Sequence, residues 1–225
     1  MTAKLSVVAT PIGNLEDITL RALSVLRECD VVLCEDTRVT KKILNHFEID
    51  TSLVSYHSHS GQAKYEKVFE FLREGKHVAL VSDAGTPTIS DPGAHLVQQV
   101  REQFPDVKFE AIPGASALTA ALSISGVHAD SFTFFGFPPH KKGRETFFNE
   151  VSASPKTVVF YESPHRILKA LTSLKEKCSS EKKVTVVREL TKIYEEVVKG
   201  SPQEVLEYFE NNTDKVRGEF VVIIS

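Results

Sequence analysis

Val81-Ser82-Asp83-Ala84-Gly85-Thr86-Pro87-Thr88-Ile89-Ser90-Asp91-Pro92-Gly93 is the stretch on which the fold turns. It leaves an apolar run, His77–Val81, that reads as a buried strand. It ends in Asp91-Pro92-Gly93, which predicts a helix start with Asp91 as N-cap and Pro92 at the first helical position. Between strand and helix lies a loop of Gly, Pro, Ser, Thr and Asp at the carboxyl end of a strand, where open α/β sheets bind ligands. The composition of the loop fits a plain strand-to-helix turn equally well. What decides is whether other strands end the same way.

Upstream they do. Leu5–Ala9 is a short apolar run closed by Thr10-Pro11-Ile12-Gly13-Asn14. Asp17 can cap a helix on which Leu20, Leu23 and Leu26 recur. Val31–Cys34 is a second buried strand, ending in Glu35-Asp36-Thr37-Arg38. A short helix follows over Lys41–Phe47, then a strand over Ser52–Tyr56 and the polar His57-Ser58-His59-Ser60-Gly61. Tyr65, Val68, Phe69 and Leu72 sit at helical spacing, and Gly75 closes that helix. Downstream of the central loop come a helix from Pro92 to about Phe104 and a strand, Val107–Ile112. Strand and helix alternate throughout. That predicts a parallel sheet covered on both faces, and right-handed crossovers put its polar loops on one edge.

Pro113-Gly114-Ala115-Ser116-Ala117 opens an Ala-rich helix to about Ser125, and here the chain changes character. A first domain over 1–113 and a second over 114–225 are expected. In the second half Ser131–Phe137 is aromatic and β-prone, and His140-Lys141-Lys142-Gly143-Arg144 reads as a basic loop. Lys156–Tyr161 is a strand ending in Glu162-Ser163-Pro164, with a helix from Pro164 to about Lys177. Lys183–Arg188, Glu195–Lys199 and Glu219–Ile224 read as strands, and Pro202–Glu210 as a helix. Strands in direct succession require antiparallel pairing, so the second sheet is expected to be mixed.

The chain has 225 residues, 41% of them hydrophobic, and a formal net charge of −3. This suits a globular protein of one large or two small domains, not a disordered or generally basic one. No run approaches the roughly 18 apolar residues of a membrane span, and the N-terminus lacks the pattern of a signal peptide. Cys29, Cys34 and Cys178 show no metal-ligand spacing and read as free thiols in a reducing cytoplasm. Neither G-x-G-x-x-G, G-x-x-x-x-G-K-[ST] nor G-x-S-x-G occurs, which counts against a dinucleotide oxidoreductase, a P-loop enzyme and an α/β-hydrolase. His57 and His59 make half a metal site at best, and no metal is expected. What remains is a set of strand-end loops rich in small residues and free backbone groups. Such loops can hold a polar, adenosine-like ligand mainly through the main chain.

At those loops the sequence resembles a known family. Ala9–Leu15, Glu35–Arg38, Val81–Pro87, Ser90–Gly93, Pro113-Gly114, Phe160–Ser163, His165-Arg166, Arg188–Lys192 and Gly218-Glu219 match, in order and over essentially the whole chain. The resemblance is to the bacterial small-subunit ribosomal RNA 2′-O-methyltransferases of the tetrapyrrole-methylase superfamily. It implies a two-domain α/β fold with S-adenosylmethionine (SAM) in a cleft between the domains, the first on the substrate side and the second completing the SAM site. It implies a homodimer that methylates the ribose 2′-oxygen of a cytidine in the decoding region of 16S rRNA, on the small ribosomal subunit. Asp83, Ala84, Gly85 and Ile89 would then line the methionine part of SAM, beside Ser116 and Ala117. Tyr161, Leu190 and the turn Gly218, Glu219, Phe220 would surround the adenosine. Longer family members continue beyond the last strand, whereas this sequence ends at Ser225; if that segment helps hold the ribosome, this chain is expected to bind differently or more weakly. Ser60 stands where the family often has Asn after its H-x-H pair.

A 2′-hydroxyl is a poor nucleophile, so alignment and a nearby proton acceptor are the needs of the reaction. Asp36 and Glu35 are the first candidates for the acceptor, with Arg38 placed to hold a phosphate or to pair with them. A purely structural ion-pair network among these three is the competing reading. His57 and His59 are weaker candidates, Asp83 is read as orienting the cofactor loop, and Glu162 and Glu189 as structural, capping or pairing with Arg166 and Arg188. Lys141, Lys142 and Arg144 are the candidates for contact with RNA phosphates. Two other functions stay open: an enzyme of the superfamily acting on a tetrapyrrole or a protein, and a non-catalytic RNA-binding assembly factor.

Overall fold

A computed structural model describes residues 3–56 and 62–225, with the backbone alone at 62–64. The chain divides into two compact units, Met1–Ser116 and Ala117–Ser225. The first contains β1 (Lys4–Val8), α1 (Leu20–Glu28), β2 (Val31–Cys34), α2 (Thr37–His46), β3 (Leu53–Ser55), α3 (Gln62–Arg73), β4 (His77–Leu80), α4 (Ala94–Gln103) and β5 (Lys108–Ile112). Its five strands run parallel in the order β3-β2-β4-β1-β5. Side chains alternate across a strand, so each strand feeds both faces. On β4, Val78 and Leu80 pack with Leu5, Leu33, Leu96 and Val100 beneath α3 and α4. Ala79 and the following Val81 pack with Val8, Val32, Leu23 and Leu26 beneath α1. The near-continuous apolar runs seen in the sequence are the mark of strands buried on both sides.

The second unit contains α5 (Ala117–Ile124), β6 (Phe132–Phe134), α6 (Arg144–Ala153), β7 (Thr157–Glu162), α7 (Ile167–Lys177), β8 (Val184–Arg188), β9 (Glu196–Gly200), α8 (Pro202–Asn211) and β10 (Phe220–Ile224). Its sheet is mixed, as expected. The order is β6-β7-β10-β8-β9, with β6 and β7 parallel and the other pairs antiparallel. One core cluster joins Phe148, Phe160, Leu171, Phe209 and Phe220 under α6, α7 and α8. Among the described residues no helix is long and apolar enough to cross a membrane.

Several element ends differ from expectation for local reasons. Asp91 caps no helix: α4 starts at Ala94, after Gly93 at φ +119°. Thr88 and Ser90 also have positive φ, and a chain in that conformation cannot yet be winding an α-helix. A side chain at Gly93 would strain the backbone and push its Cβ to 3.0 Å from Leu80 Cδ2. Asp17 belongs to a 3-10 turn, Leu15–Asp17, and Thr19 caps α1 by accepting the Ala22 N–H at 3.0 Å. α7 starts at Ile167, since Ser163-Pro164-His165 forms a turn whose Ser163 carbonyl accepts the N–H groups of Arg166 and Ile167. α6 was not legible at all. Its apolar face is only Phe147, Phe148 and Val151, interrupted by polar residues.

Candidate active site

In the first unit the loops after β1 and β4 lie side by side, because these strands are neighbours. The chain leaves β1 toward β2 and leaves β4 toward β5, in opposite directions along the sheet, which is the topological switch of an open α/β sheet. The two loops are stitched together there. Thr10 donates its N–H to the Gly85 carbonyl at 2.9 Å and accepts the Gly85 N–H at 3.0 Å. The buried Thr10 hydroxyl donates to the Ser82 carbonyl at 3.1 Å, and Ser82 Oγ to the Gly85 carbonyl at 3.1 Å. The Thr86 hydroxyl ties the same loop to the Ala115 carbonyl after β5 at 3.2 Å. These inward hydroxyls satisfy the loop from beneath and leave Ala84 and Ile89 at its surface, Ile89 at 48% exposure. Thr88 at φ +74° and Ser90 at φ +60° hold strained backbone, which collects where ligands are gripped.

Carboxylates gather beside this loop because β2 is the other neighbour of β4. Asp36 is the N-cap of α2. Its Oδ1 accepts the Arg38 N–H at 2.8 Å, and its Oδ2 meets Arg38 Nη2 at 2.6 Å. Its own N–H donates to Asp83 Oδ1 at 3.1 Å. The expected trio therefore divides: Asp36 and Arg38 serve each other and the helix start, and Glu35 stands apart from them. Burial, reinforced by the charges of Asp91 and then Asp83, pushes Glu35 from 4.5 to about 7. Burial and Asp83 push Asp91 to about 6 against the opposing hydrogen bond from Ser82. Asp91 was read from sequence as a helix cap. Its place beside Glu35 depends on the order of strands, which no local pattern carries.

In the second unit the loops after β8 and before β10 meet at the antiparallel pair. Glu189, at φ +49°, donates its N–H to the Glu219 carbonyl at 3.0 Å, and its Oε1 accepts the Glu219 N–H at 3.2 Å. Lys192 Nζ bridges Glu189 Oε1 at 2.9 Å and Glu219 Oε2 at 2.8 Å. Arg188 acts on Glu189 only through its charge. It pairs with Glu196 at 3.1 Å, because the chain turns into the left-handed region right after it. Leu190 is buried, and among the described residues the buried Thr191 hydroxyl has no hydrogen-bond partner. Gly218, at φ +84°, packs so close that a Cβ there would fall inside the Glu189 carboxylate. Gly218→Ala is expected to cost about 1–3 kcal/mol of stability through strain and displaced carboxylate, read by denaturant unfolding.

Tyr161 lies opposite Val221 of β10, its ring packed on Phe134 at 4.9 Å and Phe137 at 5.5 Å. The next residue, Glu162, has a fully buried carboxylate held between two arginines. Arg144 Nη1 lies 3.3 Å from Oε2 and Arg166 Nε 3.0 Å from Oε1, and the Ser163 N–H donates to Oε1 at 2.8 Å. The expected pairing with Arg166 is present. Arg144 differs from Lys141 and Lys142: its side chain is only 16% exposed and lies over the Phe148 ring, whereas the two lysines face solvent. His57, His59 and Ser60 lie outside the described residues. Among the described residues no group of three or more His, Cys, Asp or Glu is arranged to hold a metal ion.

The tetrapyrrole (corrin/porphyrin) methylase family matches residues 4–206, which takes in every loop described above up to Lys192. This chain belongs to that family. The resemblance read from its motifs holds at the level of whole sequences as well. A Bacillus subtilis protein named ribosomal RNA small subunit methyltransferase I is 43% identical over 223 residues, 98% of this chain and 74% of the relative. A Thermotoga maritima protein of the same name is 40% identical over 222 residues, 99% of this chain and 98% of the relative. A cobalt precorrin-4 methyltransferase of cobalamin biosynthesis superposes with a TM-score of 0.71 at 18% identity, over 98% of this chain and 94% of that one. A uroporphyrin-III C-methyltransferase from Thermus thermophilus, in complex with S-adenyl homocysteine, gives a TM-score of 0.67 at 18% identity, over 99% and 97%. At that distance the two structures speak for the fold, which is that of the tetrapyrrole methylases.

Proposed function

We propose that this methylase family member transfers a methyl group from SAM to the ribose 2′-oxygen of a cytidine in the decoding region of 16S rRNA, as a cytoplasmic homodimer acting on the small ribosomal subunit. The observation that carries the reading is the agreement in name of relatives 40–44% identical over nearly the whole chain. The loops suit the cofactor. Ala84, Gly85 and Ile89 offer small or apolar surface, Asp83 a carboxylate, and Ser116 and Ala117 the start of α5, for the methionine end. Leu190 supplies an apolar wall, with Tyr161 and the Gly218, Glu219, Phe220 turn, for the adenosine. The Thr191 hydroxyl, without a hydrogen-bond partner among the described residues, is a polar atom that a ribose or adenine can satisfy.

SAM when bound supplies a methyl group on a cationic sulfur, which needs no further activation. The protein's share is to align the 2′-oxygen and to take its proton. We assign the proton to Glu35, whose carboxylate is free of any capping duty and poised near neutrality. Asp36 holds the start of α2, and Arg38, its guanidinium 87% exposed beside Asp36, remains able to meet a phosphate. With SAM bound, the methyl would pass to the 2′-oxygen and S-adenosylhomocysteine would leave, while Glu35 would accept the 2′-proton.

Labelled methyl from SAM is expected to appear as 2′-O-methylcytidine in small subunits that lack the modification, identified by mass spectrometry of the nucleosides. No transfer to subunits or to naked 16S rRNA, with SAM binding retained, would overturn the RNA substrate and leave the family's tetrapyrrole chemistry to be tested. No SAM binding would leave a non-catalytic RNA binder.

A further inference from the structure

The segment between β6 and α6 has a construction that its basic composition did not reveal. Its backbone is pinned along its length. The Gly136 carbonyl accepts the Tyr161 N–H at 2.8 Å, the Pro138 carbonyl accepts Arg166 Nη1 at 3.1 Å, and the Pro139 carbonyl accepts Arg144 Nη1 at 3.3 Å. Both arginines end on the buried Glu162, and two consecutive prolines fix φ between the pins. On this rigid base stands Phe137, 52% exposed. Its ring is edge-packed on Tyr161, which is edge-packed on Phe134, so its orientation is set from below. Four and five residues on, Lys141 and Lys142 reach solvent, and among the described residues neither ammonium forms an ion pair.

An exposed aromatic face beside unpaired cations is the chemistry that grips single-stranded nucleic acid: a base stacks on the ring while the flanking phosphates meet the charges. An apolar protein partner would leave the lysines unused, and an acidic peptide would leave the ring unused. Preformation matters because ordering a loop on binding would consume much of the gain. We propose that the loop Phe137–Lys142 is a preformed RNA cradle, in which one unpaired base stacks on Phe137 and its neighbouring phosphates pair with Lys141 and Lys142. The proposal rests on the RNA methyltransferase reading and places a substrate contact within it. It also removes Arg144 from the RNA contacts and assigns it to the loop's support.

The test is steady-state methyl transfer to unmodified small subunits over a series of salt concentrations, with SAM affinity measured separately by calorimetry. Phe137→Ala is expected to raise KM for subunits about tenfold, with an unchanged SAM Kd and an unchanged salt slope, and Phe137→Tyr to restore KM. The Lys141→Ala/Lys142→Ala double variant is expected to raise KM and to lower the slope of log(kcat/KM) against log salt by about 1.4, two single-strand phosphate contacts. Lys141 and Lys142 face solvent, so the double variant should unfold at the parent temperature, and Phe137→Ala, which gives up its packing on Tyr161, should unfold only slightly lower. Wild-type KM and slope in both variants would overturn the cradle while leaving the methyltransferase intact. A tenfold loss of SAM affinity in Phe137→Ala would give the ring to the cofactor instead. No transfer by the parent protein would defeat the underlying reading, and the cradle with it.

Discussion

Glu162→Ala should destabilise the second unit by about 3–5 kcal/mol, the range found when one partner is removed from a buried ion pair. The carboxylate is completely buried, and the side chains of Arg144 and Arg166 are each only 16% exposed. Burying those charges is favourable only while each oxygen has its donors: Arg144 on Oε2, and Arg166 with the Ser163 N–H on Oε1. Without Glu162 two guanidinium groups remain beside one another, and their attachments to the Pro138 and Pro139 carbonyls must carry the loop alone. Glu162→Gln keeps the shape and one acceptor and should fall between the parent and Ala. Chemical unfolding followed by far-UV circular dichroism reads the effect. A loss below about 1 kcal/mol for the Ala variant would mean that water already screens both arginines, and the clamp would lose its place in the fold.

That triad shows where sequence reading stops. Glu162 and Arg166 are four residues apart, so their pairing was within reach of spacing. Arg144 is eighteen residues from Glu162, and only the pairing of β6 with β7 brings them together. A basic run looks the same whether its last member points outward or inward. Strand cores were legible because both faces of the parallel sheet are buried and the apolar runs are nearly continuous. α8 was legible because Ser201, Pro202 and Glu204 form a capping box with proline at its start. α6 was hidden by a short apolar face, and the start of α4 by positive φ at Thr88 and Ser90, residues that sequence rules do not place there. At the candidate site the residue types were legible and their division of labour was not. Asp36 and Glu35 are neighbours in sequence, yet one turns to cap α2 and the other toward Asp83 and Asp91.

That division makes the proton acceptor testable. Glu35→Gln is expected to lower kcat about a hundredfold, the lower range for loss of a general base, with the SAM Kd unchanged. Asp36→Asn should cost about 1 kcal/mol of helix-cap stability and keep kcat within a few-fold of the parent. In the parent, log(kcat/KM) should rise with unit slope below about pH 7 and level off above it, and the Gln variant should lose that limb. Stability gives an independent reading of the same group. Burial and the neighbouring charges raise its folded pKa from 4.5 to about 7. Its contribution to folding is therefore complete below about pH 4.5 and lost as pH rises through 7. Glu35→Gln should then match the parent at pH 4 and be the more stable of the two at pH 8. Water reaches much of this side chain, so the gain is on the order of 1 kcal/mol. A Gln variant that kept both its rate and its pH limb would pass the proton to another group, with Asp91 next in line, since it too is held above the ordinary carboxylate range. A variant that lost rate but not the pH dependence of stability would mean that the carboxylate acts by contact with substrate, its acidity being set only once the complex forms.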